Sequence, residues 1–186
     1  MSDEKVKSDL KMDNVFKRLG KETNDIWNNN IDAQKFQIRI EKDSNQKEII
    51  DKKNLNNQFL KKFNLKKTSE KIGGVYLIYV DSSLFYVGES LNILSRLKRH
   101  FNKPYREVKE AQEKRIAPFR TILQNKELEV VVLRIIDNEY LPFRKSLEKI
   151  LEYNKLPAFL NYLYGMPSQR ESVKTRVKTS YRLTNK

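Results

Sequence analysis

Apolar residues change rhythm several times along this chain, and each change marks an element. After Gly73-Gly74 they crowd together as Val75, Tyr76, Leu77, Ile78, Tyr79 and Val80, and again as Leu84, Phe85, Tyr86 and Val87 beyond a polar Asp81-Ser82-Ser83. β-Branched and aromatic side chains suit a pleated surface, and Asp and Ser side chains satisfy the backbone of a tight turn, so a β-hairpin is expected. Ser90 and Asn92 then offer helix caps. Leu94, Leu97 and Phe101 follow at helical spacing with basic residues between them, which predicts a basic amphipathic helix. Farther on, the continuous run Val130-Val131-Val132-Leu133 within Leu128–Ile136 reads as a buried strand. Pro142 is placed to open a helix with Leu147, Ile150 and Leu151 as its core stripe, and Pro157 ends it.

The first seventy residues carry weaker signals. Phe36, Ile38 and Ile40 alternate as in a short strand, Gln46–Phe63 reads as a helix, and Trp27-Asn28-Asn29-Asn30 reads as a loop. No repeat and no motif precedes Lys71, so residues 1–70 form an extension ahead of the motif-bearing part of the chain.

Composition narrows the chemistry. The 186 residues hold 38 Lys and Arg against 24 Asp and Glu, a net +14. The excess is uneven: residues 1–70 hold 16 basic against 12 acidic, and residues 71–186 hold 22 against 12. A basic excess on this scale suits a polyanionic partner, against the plainer reading of a generic basic protein. With no cysteine there is no disulfide framework, no thiolate zinc site and no cysteine nucleophile. His100 is the sole histidine, which leaves a His-rich catalytic zinc or a Ser-His-Asp hydrolase little to work with. Met1–Leu10 is charged and shows neither a secretory signal nor a membrane anchor, and no stretch nears the ~20 apolar residues that span a bilayer. An intracellular, cytoplasmic protein is expected.

Gly74-Val75-Tyr76, a hairpin, Tyr86-Val87-Gly88, then Ser90-x-Asn92 and Arg96 together resemble the signature of the GIY-YIG nucleases, and Glu148, Pro157 and Asn161 continue that pattern in order. The resemblance spans roughly Ile72 to Tyr162. It implies an α/β (α+β) fold, a small domain with a central three-stranded, mainly antiparallel sheet flanked by helices. Residues 71–164 are then the nuclease domain, residues 1–70 an N-terminal extension for DNA binding or dimerisation, and residues 165–186 a basic C-terminal tail. From Gly165 onward that tail has six Lys or Arg and one acid, a composition equally suited to phosphates and to a solvated terminus. Two departures stand out: Val replaces Ile in both tripeptides, keeping a β-branched strand residue, and Asn161 lies one residue farther from Glu148 than is usual.

The resemblance implies a metal-dependent DNA endonuclease with Tyr76, Tyr86, Arg96, His100, Glu148 and Asn161 as site residues. Glu148 would bind Mg²⁺, with Mn²⁺ as a substitute, and Glu152 is a rival for that role. These residue types suit phosphodiester hydrolysis on chemical grounds. A hard cation needs only one or two carboxylates, and an Arg offers a planar fork of donors that stays charged at any relevant pH. Tyr76, with a reference pKa near ~10, needs help to accept a proton from water at neutral pH. In the family that tyrosine is the proposed general base. His100 shares a helical face with Arg96, four residues on, and resembles the pattern of restriction-enzyme members. Tyr86 would position substrate or water and Asn161 would brace the site.

Each residue also has a plainer reading. Paired tyrosines in a hairpin are usually packing, a helical Arg is usually solvated, Glu148 could pair with Arg144 one turn before it, and Asn161 after a proline could cap a turn. Three functions follow from the resemblance: a restriction-type enzyme, a structure-dependent nuclease of repair, recombination or a mobile element, and a non-catalytic DNA-binding module. Double-stranded DNA is the expected partner, and a homodimer is one way to cut both strands of a symmetric site.

Overall fold

In the computed structural model, which describes residues 2–42, 44, 48–102 and 127–157, a four-stranded antiparallel sheet lies between two layers of helices. The chain begins with three short helices, α1 (Asp3–Leu10), α2 (Asp13–Leu19) and α3 (Lys21–Asn29). Strand β1 (Ile31–Ile38), a small hairpin of β2 (Ile40–Lys42) and β3 (Glu48–Ile50), and helix α4 (Lys52–Lys62) complete the first part. Then come β4 (Gly74–Val80), β5 (Ser83–Ser90), α5 (Ile93–Asn102), β6 (Leu128–Ile135), a 3-10 turn at Asn138–Tyr140, and α6 (Phe143–Lys155). The strand order is β1-β6-β4-β5.

The sheet has four strands rather than three, because β1 from the N-terminal extension pairs antiparallel with β6 along its length, from Ile31↔Ile135 to Ile38↔Leu128. Local pattern reveals a strand but not its partner, which lies about a hundred residues away. The central strands β6 and β4 are apolar on both faces because both are covered. Tyr76, Ile78, Val130 and Val132 face α4 and α5, while Val75, Leu77, Val131 and Leu133 face α1, α3 and α6. Each core therefore mixes extension and hairpin residues. Phe36 stacks on Phe59 at 4.5 Å between centroids on one side, and Trp27 stacks on Phe16 at 4.3 Å on the other.

Two local expectations are corrected. Trp27, Asn28 and Asn29 are helical rather than loop, because Trp27 is fully buried against Phe16 and its indole N–H donates to the Asp13 carboxylate at 3.0 Å. The helix expected from Gln46 begins only at Lys52. The Asp51 side chain caps it by accepting from the Asn54 N–H at 2.8 Å, and the residues before it form β3, whose Ile50 is buried.

At its outer edge β1 is closed by side chains. Asp3 accepts from the Ala33 N–H at 2.9 Å, Gln58 both accepts from the Gln37 N–H and donates to its carbonyl, and the Lys62 ammonium donates to the Lys35 carbonyl. These contacts satisfy backbone groups that an edge strand would otherwise expose.

Candidate active site

The site is assembled around β5, the opposite edge of the sheet. The β4–β5 hairpin turns through Asp81 and Ser82, both at positive φ, which matches the right-handed twist of the strands. A register shift lets β5 fit one more residue than β4, after which Tyr86 faces Ile78 and Gly88 faces Tyr76. Residues directly opposite share a face, so both tyrosines point to the α5 side. Their rings lie 6.0 Å apart. This approach depends on Gly88, where an added Cβ would stand 2.6 Å from both the Tyr76 hydroxyl and Tyr86 Cε1.

The loop after β5 sets the start of α5. Ser90 Oγ accepts from the Asn92 N–H at 3.0 Å, and Asn92 Oδ1 accepts from the Ser95 N–H at 3.1 Å, so Asn92 is the cap and Ser90 braces it. That fixes Arg96 in the first turns and His100 one turn beyond it. Tyr76 Oη and His100 Nε2 are 2.6 Å apart, and the Tyr86 and His100 rings meet edge-on at 5.6 Å.

Electrostatics couple the group. Burial raises the Tyr76 phenol far above its ordinary value, the neighbouring Tyr86 raises it further, and Arg96 only partly opposes them. Desolvation pulls the Arg96 guanidinium down, but contact with both tyrosine hydroxyls leaves it raised overall. Arg96 Nε is buried without a hydrogen-bond partner among the described residues.

Glu148 approaches from the other face of the sheet on α6. Its Oε1 accepts the Glu89 N–H of β5 at 3.1 Å, and its Oε2 lies 3.6 Å from the Lys149 ammonium, which holds Glu152 at 2.6 Å. Burial raises the Glu148 carboxyl above its ordinary value, with Lys149 opposing and Glu152 and Glu89 adding to the rise. Tyr86 links the two halves: burial raises it first, and Glu148 next. The plainer alternative for Glu148, an ion pair with Arg144, is not what forms, since Arg144 Nε donates to Glu89 Oε2 at 2.6 Å. Among the described site residues, Tyr76, Tyr86, Arg96 and His100 form one cluster, with Glu148 at its margin. Asn161 and the tail from residue 165 lie outside the described residues. Sequence reasoning passed over Glu89 and set Arg144 only beside Glu148, because the Glu89–Arg144 pairing joins a strand to a helix 55 residues away.

The family model of the GIY-YIG catalytic domain matches residues 72–155. The chain carries a GIY-YIG domain. No curated protein and no solved structure matches it significantly. A GIY-YIG domain is a nuclease domain, and DNA is the substrate it implies. GIY-YIG nucleases depend in general on a divalent cation. Glu148 fits one: it is a half-buried carboxylate whose pKa is raised first by burial and then by the neighbouring Glu152 and Glu89, a setting that an added cation would relieve. No group of three or more His, Cys, Asp or Glu side chains able to hold a metal ion occurs among the described residues, and a hydrated hard cation needs only one or two carboxylates. No described helix is long and apolar enough to cross a membrane.

Proposed function

We propose that the protein is a Mg²⁺-dependent, sequence-specific DNA endonuclease of the restriction type. The observation that carries the reading is the 2.6 Å contact between the Tyr76 hydroxyl and His100 Nε2, beside an Arg96 whose Nε has no partner among the described residues. Tyr76 is a poor phenolate in this setting, but in the His100 tautomer that leaves Nε2 bare its proton has a direct acceptor. In the proposed step, water gives a proton to Tyr76 Oη while Tyr76 passes its own to His100 Nε2. The resulting hydroxide attacks phosphorus as the bond to the leaving oxygen breaks. Arg96 supplies donors and charge to the phosphate oxygens as negative charge builds. Tyr86 orients the water or the phosphate. Glu148 would hold Mg²⁺, or Mn²⁺ in its place, which supplies Lewis-acid neutralisation of the phosphate and the leaving oxygen.

The restriction assignment is supported by His100, whose position four residues after Arg96 resembles restriction-enzyme members and which here contacts Tyr76 directly. The +14 charge favours phosphate binding generally. The test is incubation of purified protein with phage and plasmid DNAs in Mg²⁺, against EDTA and Glu148→Ala controls, with sequencing of fragment ends. Discrete ends sharing one short motif are expected. Nicks without a shared motif would point instead to a structure-dependent nuclease, and no Glu148-dependent cleavage would point to a binding module.

A further inference from the structure

Glu148 sits on a helix that must be held in register with a strand at the sheet edge, and one connection does this through a single residue of β5. Glu89 uses its backbone N–H to bind Glu148 Oε1 at 3.1 Å and its carboxylate to bind Arg144 Nε at 2.6 Å. Arg144 stands four residues before Glu148 on α6, so both grips come from one face of one helix. Its guanidinium is fixed a second time, because Nη1 donates to the Leu141 carbonyl at 2.8 Å. The pair is sheltered, with side-chain exposures of 14% for Arg144 and 27% for Glu89, so water competes with it only weakly. One oxygen of Glu148 is thereby committed to the strand. Oε2 remains on the side of Lys149.

We infer that Arg144 is a positioning residue for Glu148, acting through Glu89 to present one carboxylate oxygen to a divalent cation. The inference rests on the metal role proposed for Glu148. Arg144 is a cation near an anionic metal ligand, so on charge alone its removal would tighten cation binding. A positioning role predicts the reverse, because a ligand with no fixed rotamer loses affinity for its metal.

The experiment titrates Mn²⁺ alone into the full-length protein by calorimetry, with thermal unfolding of each variant as the check on folding. Arg144→Met is expected to weaken Mn²⁺ binding by about tenfold, the lower end for loss of a residue that orients a ligand. Arg144→Lys, which keeps the charge and can reach Glu89, should recover part of the loss. Unchanged or tighter binding by Arg144→Met overturns the inference. If that variant does not fold, Glu89→Gln combined with Arg144→Gln breaks the ion pair at constant local net charge, and wild-type Mn²⁺ affinity there overturns it equally. Mn²⁺ binding by the wild type that survives Glu148→Ala would remove the metal role itself, a failure distinct from that of Arg144.

Discussion

Replacing Gly88 with alanine should separate the geometry of the site from the stability of the fold. Gly88 lies in a strand and does not use a left-handed backbone, so alanine meets no conformational barrier there. It does meet the tyrosine pair. The new Cβ would stand 2.6 Å from Tyr76 Oη and 2.7 Å from Tyr76 Cζ, whereas ordinary contact begins at 3.4 Å, so the hydroxyl must retreat by about 0.8 Å. Tyr76 is fully buried and has His100 at 2.6 Å, so that retreat disturbs the one contact on which the proposed proton transfer depends. Misplacement near 1 Å costs on the order of 100-fold in rate. Overpacking one methyl typically costs about 1–3 kcal/mol, and each kcal/mol shifts Tm by about 2–4 °C in a chain of this size, which should leave the variant folded. Initial cleavage rates in Mg²⁺ and thermal unfolding on the same preparation read both effects. A folded Gly88→Ala enzyme cutting within about threefold of wild type would refute the placement of Tyr76 in the reaction.

Glu148→Gln should abolish cleavage while raising Tm in the absence of metal. The folded protein raises the Glu148 pKa mainly by burial, so between the unfolded value and the raised one it binds more proton than the unfolded chain, and stability falls as pH rises through that window. Gln keeps the acceptor for the Glu89 N–H and removes that cost at neutral pH, a gain on the order of 1 kcal/mol, and a lower Tm than wild type would contradict it. Burial holds the Tyr76 phenol protonated, and relay of its proton to His100 uses that neutral form, so the pH–rate profile should lack a tenfold-per-unit climb between about pH 8 and pH 10. Such a climb would make a Tyr76 phenolate, rather than transfer to His100, the route of the proton. Phe36→Ala, in β1 and far in sequence from the motifs, should cost about 3–5 kcal/mol in urea unfolding because Phe36 shares a core with Tyr76 and α5. An unchanged midpoint would mean that the extension folds apart from the GIY-YIG domain.

The parts of this molecule legible from sequence are those whose cause is local. The hairpin is written in β-branched residues and the polar Asp81-Ser82-Ser83, α5 in Asn92 and its Leu94–Leu97–Phe101 stripe, and α6 in the proline before it. Arg96 and His100 share a face because four residues separate them on a helix. What escaped has a distant cause. Nothing near Ile31–Ile38 indicates a partner at Leu128–Ile135, and Trp27 was hidden among asparagines because its stacking partner belongs to another helix. The Glu89–Arg144 pair escaped for the same reason. Arg144 has a closer acid in sequence, Glu148, and only the packing of α6 on β5 shows that it prefers the strand.

A sheet can grow only from its margins, and on each margin of this one side chains occupy backbone groups. On β1, Asp3, Gln58 and Lys62 occupy backbone positions where an incoming strand would bind; on β5, the Glu89 N–H is taken by Glu148. An added strand would displace caps on one side and disturb the carboxylate on the other. A second copy pairing strand to strand beside Glu89 would therefore cost the hydrogen bond that holds Glu148 to the sheet.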